Sequence, residues 1–435
     1  MKRRLKVLVS AYSCDPTRGS EPGVGWGWVK ALSRHHDLLV LTSDLFRANI
    51  EAELHRDPAL RGGLQFHYVP RTRYLRLSRL WKPALLWTYR RWQQDAYRLA
   101  LQLQRDPGFD LVHQLTWVTF REPGHLWKLD VPFVWGPIGG LENTPWRLLP
   151  MLGVRGLVHF ASRNVLNTLH KRLLPRPKRA FRKAHGGIIA ATEGIRREIL
   201  RHYGQESQVI CETAPPEPIA ATHSIRVGGA PLRISWSGAH DPGKALPLLL
   251  HAVVRLPGAV GWELHILGEG PCTTRWRRVA RRLGVDSRCT WHGQLPRPQA
   301  IALLGSSHVF ALTSVKDLTT TVVMEALSQG VPVVCLDHCG FAGVVTSECG
   351  VKVPVGTPDT IGSRFADALG HLWAHEAERQ KLAAGALERV RQFTFERKAE
   401  AVSEIYHRAL GRGGSPLGHL PRHRQSVNPV GMALR

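Results

Sequence analysis

Residues 310–334 read FALTSVKDLTTTVVMEALSQGVPVV. An apolar run opens the stretch and a polar loop follows. Then come a helical pattern, a turn at Gly330 and a second apolar run. Strand, loop, helix and strand in that order form one unit of a parallel α/β sheet, because strands buried on both faces read as continuous apolar runs. Asp317 and Glu325 have seven residues between them. A helix begun at Leu318 and carried to Gln329 sets Glu325 about 12 Å along the axis from Asp317 at ~1.5 Å per residue. The backbone N–H groups of Thr319, Thr320 and Thr321 are then unpaired within the helix. Such donors favour anions and open beyond the strand ends, where open α/β sheets bind ligands. The same spacing also suits Asp317 as a helix N-cap and Glu325 as a surface helix residue.

The same alternation extends outward from this stretch. Strand patterns fall at 232–238, 262–268, 289–293, 308–314 and 331–337, with helices at 244–256, 273–283, 298–305 and 319–329. The first third carries an earlier series, with strands at 4–12, 37–42, 64–69, 110–116 and 131–138 and helices at 23–34 and 46–56. Two series predict an α/β chain of two Rossmann-like domains facing each other across a cleft. Residues 212–230, with ETAPPEP and a closing GGA, have few apolar residues and read as interdomain sequence. We expect an N-terminal domain at 1–215, a linker at 216–231 and a C-terminal domain at 232–394. Terminal helices are expected at 374–392 and 395–410, the last crossing back to the first domain. The basic tail 411–435 is expected to be disordered.

The composition restricts the function classes. Of 435 residues, 43% are hydrophobic and 21% charged, which excludes a mostly disordered chain. Lys and Arg number 59 against 34 Asp and Glu, a net charge of +25 that seeks nucleic acid, anionic lipid or phosphorylated ligands. Two segments concentrate this charge. Residues 71–98 interleave eight Lys/Arg with Trp81, Trp87 and Trp92, and residues 160–192 carry eight Lys/Arg and no acid. No apolar run approaches the ~20 residues that span a bilayer. The opening MKRRLKVLVSAYSC has the outline of a weak signal peptide, but a Gly-rich turn and a helix pattern follow it directly, so it is read as a first strand. Seven scattered Cys suggest no disulfide framework and point to a reducing cytosol. Cys335, His338 and Cys339 lie close together without further ligands at a zinc spacing, so no metal is expected.

Several strand ends carry candidate ligand groups. In SWSGAHDPGKALPLLLHA (235–252) a strand ends at Gly238 and a turn carries Lys244 to a helix start, where a lysine can neutralise a phosphate leaving group. His240 is a second candidate there. LGEGP (267–271) ends the next strand at Gly268, and TWHGQLPR (290–297) the one after at Gly293. Glycines at such ends allow close backbone approach or simply make a turn. In the first series, SCDPTRGSEPGVGWGW (13–28) sets Gly19 in a loop that opens a helix, without the G-x-G-x-x-G spacing of a dinucleotide fold. VWGPIGGLENTP (134–145) places Gly139, Gly140 and Glu142 after a strand, with Glu142 within reach of an acceptor hydroxyl. His113, in DLVHQLT, lies within or at the end of a strand, where a lone histidine is more often a packed core residue. No G-x-S-x-G elbow, H-E-x-x-H helix or Walker A loop is present.

Taken in order, GSEPGVGWGW, GPIGG, the SG…GKALPLLL segment, LGEGP and D-x7-E followed by ALSQGVPVV resemble glycosyltransferase family 4. These are retaining, nucleotide-sugar-dependent enzymes of the GT-B fold. The resemblance covers residues 4 to about 410 and is strongest over 232–353. It implies transfer of a hexose-type sugar from a nucleoside diphosphate to an acceptor hydroxyl with retention, without a metal or other cofactor. Glu325 matches the acid that holds the ribose hydroxyls, Asp317 the acid that contacts the donor sugar, and Lys244 the base on the diphosphate. The implied catalytic set is Asp317, Lys244 and His113. The implied donor set is Gly19, Gly238, His240, Lys244, Gly268, Gly293, Leu318, Thr319, Thr320, Thr321 and Glu325. Three positions depart from the family pattern. Asp317 stands where Glu is usual, Ala239 where an Arg often pairs with the lysine, and Leu115 where many members have a second, catalytic histidine. The implied partners are a nucleotide-sugar donor, a glycan or lipid-linked acceptor and an anionic membrane surface, which places the chain in the cytoplasm, peripheral on the inner face of its membrane. Two readings compete: a basic nucleic-acid-binding protein, although no RRM, KH or zinc-finger signature appears, and a GT-B fold that binds a nucleotide sugar without transferring it.

Overall fold

The computed structural model describes residues 3–70, 82–219 and 223–411. The expectations for residues 71–81, Trp81 among them, and for the tail from 412 lie outside the described residues.

Thirteen strands among the described residues form two parallel sheets. The first contains β1 (Lys6–Ser10), β2 (Asp37–Ser43), β3 (Leu64–Val69), β4 (Leu111–Gln114), β5 (Phe133–Ile138), β6 (Ile188–Ala190) and β7 (Gln208–Val209), in the order β3-β2-β1-β4-β5-β6-β7. The second contains β8 (Leu232–Ser237), β9 (Trp262–Leu267), β10 (Cys289–Gly293), β11 (Val309–Leu312), β12 (Val333–Leu336) and β13 (Gly350–Val353), in the order β10-β9-β8-β11-β12-β13. Each sheet reverses its winding beside its first strand, between β1 and β4 and between β8 and β11. This is the place where open α/β sheets hold ligands.

The period-2 alternation of a strand divides the core of the first sheet. Leu8, Leu39, Leu41 and Val112 face one apolar layer, and Val7, Val9, Leu38, Val40 and Leu111 the other. β1 is in register with both neighbours, Val7 lying opposite Leu38 and Leu111. The second sheet is enclosed in one continuous core that includes Ile234, Trp236, Leu264, Phe310 and Val334. These side chains are nearly all fully buried. Such burial is worth ~1.5–3 kcal/mol for each large apolar side chain.

Two helices tie the lobes together. Leu152, at the entry to helix Gly153–Leu173, and Phe160 within it belong to the second-lobe core, while further along the helix Asn167 bonds the backbone of Leu141 in the first lobe. Helix Phe395–Ala409 follows the second lobe in the chain, yet its Ala399, Val402, Ile405 and Tyr406 are buried with Val7, Val9 and Trp28 of the first. Gly27 admits this helix, because a Cβ at Gly27 would overlap the ring of Phe395.

The described parts of the basic segments lie largely in helices Lys82–Arg105, Gly153–Leu173 and Pro175–Lys183. In helix Lys82–Arg105, Trp92 is buried and Trp87 is half exposed. Among the described residues no helix is long and apolar enough to cross a membrane.

Candidate functional site

β8, β9 and β10 end side by side at Gly238, Gly268 and Gly293. Gly268 donates its N–H to Gly293 O at 2.8 Å, and Gly238 donates to Leu267 O at 3.2 Å. Gly268 has a φ of +102°, and a Cβ there would overlap the Gly238 carbonyl. The carboxyl edge of the sheet thus carries three residues without side chains, and glycine at 268 lets neighbouring strand ends approach closely.

Lys244 stands over one end of this strip. It closes a short 3-10 turn, Pro242–Lys244, in which the Asp241 carboxylate accepts from Gly243 N–H at 2.8 Å. Ala245 follows with a φ of +48° and starts helix Leu246–Val253. The lysine stem lies along Gly238, whose added Cβ would be 3.5 Å from Cδ. Its ammonium pairs with the Asp317 carboxylate, and both side chains are more than four-fifths covered. The loop after β11 is fastened to the same turn. Thr313 Oγ1 donates to Lys244 O at 2.9 Å and accepts from Trp236 Nε1 at 3.1 Å, and Val315 N–H donates to Gly243 O at 2.8 Å. A cation and an acid are thus fixed together at the reversal point of the second sheet.

The next residues differ from the sequence expectation. The helix begins at Thr321, not at Leu318 or Thr319, and Thr320 precedes it with a φ of +63°. Thr319 is fully buried and its N–H is not open. Both that N–H and the hydroxyl donate to the Glu212 carboxylate at 2.9 Å each. Glu212 is itself buried, and burial raises its carboxyl above the ordinary range despite these bonds. The open donors of the helix start are therefore those of Thr321 and Val322, since Val323 N–H turns back to Thr320 O. Glu325 lies on helix Thr321–Ser328, mostly covered, and accepts from Arg297 Nε at 3.1 Å.

Two histidines leave the site. His240 is 1% exposed, its Nδ1 is within 2.7 Å of Thr273 Oγ1, and its ring is boxed by Trp236, Trp276 and Trp291. It is a packing residue behind the glycine strip. His113 is fully buried on β4, its Nδ1 within 2.6 Å of Tyr406 Oη and its Nε2 within 2.7 Å of Gly136 O. Desolvation lowers its pKa to about 4, so the ring is neutral. With both nitrogens engaged inside the core, it is not placed to touch a ligand.

The first lobe meets the loop after β11 through its own glycine turns. Gly139 faces Leu318, whose Cδ2 would be 3.2 Å from an added Cβ, and Gly140 follows with a φ of +83°. Glu142 accepts from Thr192 Oγ1 at 2.8 Å through its carboxylate, and from Lys316 Nζ through its backbone carbonyl. Burial holds the Lys316 ammonium below its ordinary pKa. Gly19 is the N-cap of helix Ser20–Ser33, with open space about it. Nearby, Glu21 accepts from Trp117 N–H at 2.7 Å.

Sequence reasoning passed over Glu212, Lys316 and Thr192. Lys316 adjoins Asp317 in the chain and carried that signal. Glu212 was read as part of the linker region, and nothing local distinguishes it there. Among the described residues no group of three His, Cys, Asp or Glu is placed to hold a metal ion.

Comparison with known proteins adds the following. Residues 231–375 match the family described as Glycosyl transferases group 1. A D-inositol 3-phosphate glycosyltransferase of Corynebacterium efficiens is 27% identical over 232 residues, 49% of this chain and 54% of that protein. The chain thus spans about half the length of the first curated relatives it matches. The protein of the same name from Kribbella flavida is 24% identical over 433 residues, 92% of this chain and 95% of its own. Among solved structures, HepE of Anabaena in complex with UDP and glucose superposes with a TM-score of 0.58 at 16% identity, covering 92% of this chain and all of that one. The two facing sheets are those of the GT-B fold.

Proposed function

We propose, on the premise that this chain belongs to glycosyl transferases group 1, that it moves a hexose-type sugar from a nucleoside-diphosphate sugar to an acceptor hydroxyl with retention. The observation that carries this reading is the Lys244–Asp317 pair, fixed beside the glycine strip at the reversal point of the second sheet. The domain at 232–394 holds the donor and the domain at 1–215 the acceptor. The work belongs to polysaccharide or glycolipid assembly, in the cytoplasm and peripheral on the inner face of the membrane.

The chemistry follows from the charges. A diphosphate laid over Gly238 and Gly268 meets backbone without side chains. Lys244 turns from Asp317 to the phosphates and takes up charge as the diphosphate departs. The N–H groups of Thr321 and Val322 add the positive end of a helix to the same task. Asp317, released from the lysine, contacts the donor sugar. Glu325 holds the ribose hydroxyls, with Arg297 setting its orientation. Apposition of the lobes excludes water, so that the acceptor reaches the face the leaving group vacates. These groups serve without a metal, and a neutral, buried His113 takes no part. The UDP and glucose of HepE suggest a uridine diphosphate donor for this chain.

The test is thermal shift against a panel of nucleoside diphosphates and their sugars, with EDTA and again with Mg²⁺. We expect stabilisation that needs base and sugar, survives EDTA and is lost in Glu325→Ala. A folded sample that no member of the panel stabilises would overturn the donor site.

A further inference from the structure

The chain leaves the first lobe through Glu212 and Thr213, and these two residues touch both lobes. Trp28 Nε1, in the first-lobe core, donates to Glu212 O at 2.9 Å. The Glu212 carboxylate reaches the other way and accepts the N–H and the hydroxyl of Thr319, in the loop after β11. Thr213 Oγ1 lies 3.3 Å from the hydroxyl of Thr321, the first residue of helix Thr321–Ser328. Lys398 is buried on the helix that returns to the first lobe. It donates to Thr213 O and lies within electrostatic reach of the Glu212 carboxylate. The passage out of the first lobe and the passage back therefore meet at the start of one second-lobe helix.

The backbone between those grips is strained. Thr320 has a φ of +63°, where a β-branched residue is a genuine outlier. Such a conformation persists only where its surroundings over-determine it. Here they act from both sides, since Glu212 fixes Thr319 before it and Thr213 meets Thr321 after it. Gly340 closes on the same place, donating to Leu318 O at 2.9 Å, and a Cβ at Gly340 would be 2.5 Å from Thr319 Oγ1. Burying a carboxylate costs free energy that an apolar side chain of similar size would not. Such a side chain would leave the Thr319 N–H and hydroxyl buried without a partner, so the acid serves this loop rather than the core.

We propose that Glu212 is a positioning residue for sugar transfer. Acting through Thr319, it sets the backbone of Thr320 and so aims the N–H groups of Thr321 and Val322 at the phosphate next to the sugar. This rests on the reading of the Lys244–Asp317 site as the donor site. Glu212 is itself buried against Thr319 and touches no ligand.

Calorimetry on the full chain with UDP and UMP tests this. The two share base, ribose and first phosphate, so their affinity ratio reads the second phosphate alone. Glu212→Ala should weaken UDP about tenfold, the scale of an anion held at a helix start, and change UMP less than about twofold. Glu212→Gln should keep the wild-type ratio within about twofold, because its amide oxygen still accepts from Thr319 N–H and its amide nitrogen donates to the hydroxyl. Glu212→Asp is one methylene short and should lose the ratio as Glu212→Ala does. A merely structural role would lower the melting temperature and leave the ratio where it was. Hydrogen exchange without nucleotide reads the loop by itself. Residues 318–322 should exchange about tenfold or more faster in Glu212→Ala and Glu212→Asp, with β8 and β12 as protected as in wild type. If Glu212→Ala does not fold, Glu212→Asp against Glu212→Gln decides alone. A folded Glu212→Ala or Glu212→Asp with the wild-type preference for UDP would overturn the proposal and leave the donor site standing. So would a Glu212→Gln that falls with them. Wild type that binds neither nucleotide, while exchange at 318–322 responds as expected, would instead overturn the donor site and the proposal with it, although Glu212 would still fasten the loop.

Discussion

Lys244 and Asp317 neutralise each other, so removing either changes what the other does. Lys244→Ala should lower the transfer rate by roughly 10²–10³, the scale for losing one preorganised charge at a leaving group, with a smaller loss in donor affinity. Asp317→Asn should leave donor binding intact or tighter, because Lys244 no longer has a competing partner, while transfer still falls. Steady-state kinetics paired with donor titration would separate the two, and wild-type rates in both variants would remove the pair from the mechanism. His113 makes the opposite case. Its folded pKa of about 4 lies below the ordinary value of 6.5. Between those values the unfolded chain binds the proton and the folded one does not, so stability is full above pH 6.5 and declines as the pH falls toward 4. For a ring this buried the loss is on the order of 3 kcal/mol. In urea titrations, the stability gap between wild type and His113→Gln should therefore be wide at pH 7.5 and narrower at pH 5. The folded variant should keep its transfer activity at pH 7.5, and loss of transfer there without loss of fold would return His113 to the active site.

Elements were legible in the sequence where a long apolar run coincides with a buried strand. The pattern at 64–69 is β3 to the residue, and that at 289–293 is β10. β6 and β7 escaped because three and two residues are too few to show a period. The helix expected from Leu318 or Thr319 starts at Thr321 for a different reason. Glu212, 107 residues away, takes the Thr319 N–H, and no local spacing encodes so distant an acceptor. The helix expected at 23–34 contains GVGWGW, but its glycines carry no local signal of what they pack against, and Gly27 serves packing between helices Ser20–Ser33 and Phe395–Ala409. Gly27→Ala should drive a methyl into the Phe395 ring and cost ~1–3 kcal/mol, the range for overpacking a tight contact. Adding Phe395→Leu should recover part of that loss in a thermal melt. A double variant no more stable than Gly27→Ala alone would show that the helices do not meet through this contact.

Across the whole molecule, the resemblance pointed to Asp317 and Glu325 on one strand–loop–helix unit and to Lys244 on another, each unit's order being visible in the chain, and the structure sets Lys244 against Asp317. The resemblance could not show which histidines face the cleft. His113 bonds Tyr406, 293 residues away, and His240 lies among three tryptophans from three segments, so their burial is settled only when the lobes are assembled. The same holds for the contacts between lobes. Lys316 Nζ on the carbonyl of Glu142, Leu318 against Gly139, and Gly340 packed on Thr192 all join the loops after β11 and β12 to the first lobe. They hold the lobes in apposition. Lys316 is the only charged group of the three contacts, and its ammonium is largely buried, so its bond to the carbonyl offsets a desolvation cost. Lys316→Met keeps the length of the side chain and removes that bond. We expect a larger radius of gyration in solution scattering, a transfer rate reduced about tenfold, and donor affinity changed far less, because the lysine bridges lobes and lies off the glycine strip. Saturating donor should return the scattering profile of the variant to that of wild type if donor contacts also draw the lobes together. An unchanged profile with normal transfer would mean that the other contacts between the lobes suffice to hold them, and the lysine would then have no part in the closed state.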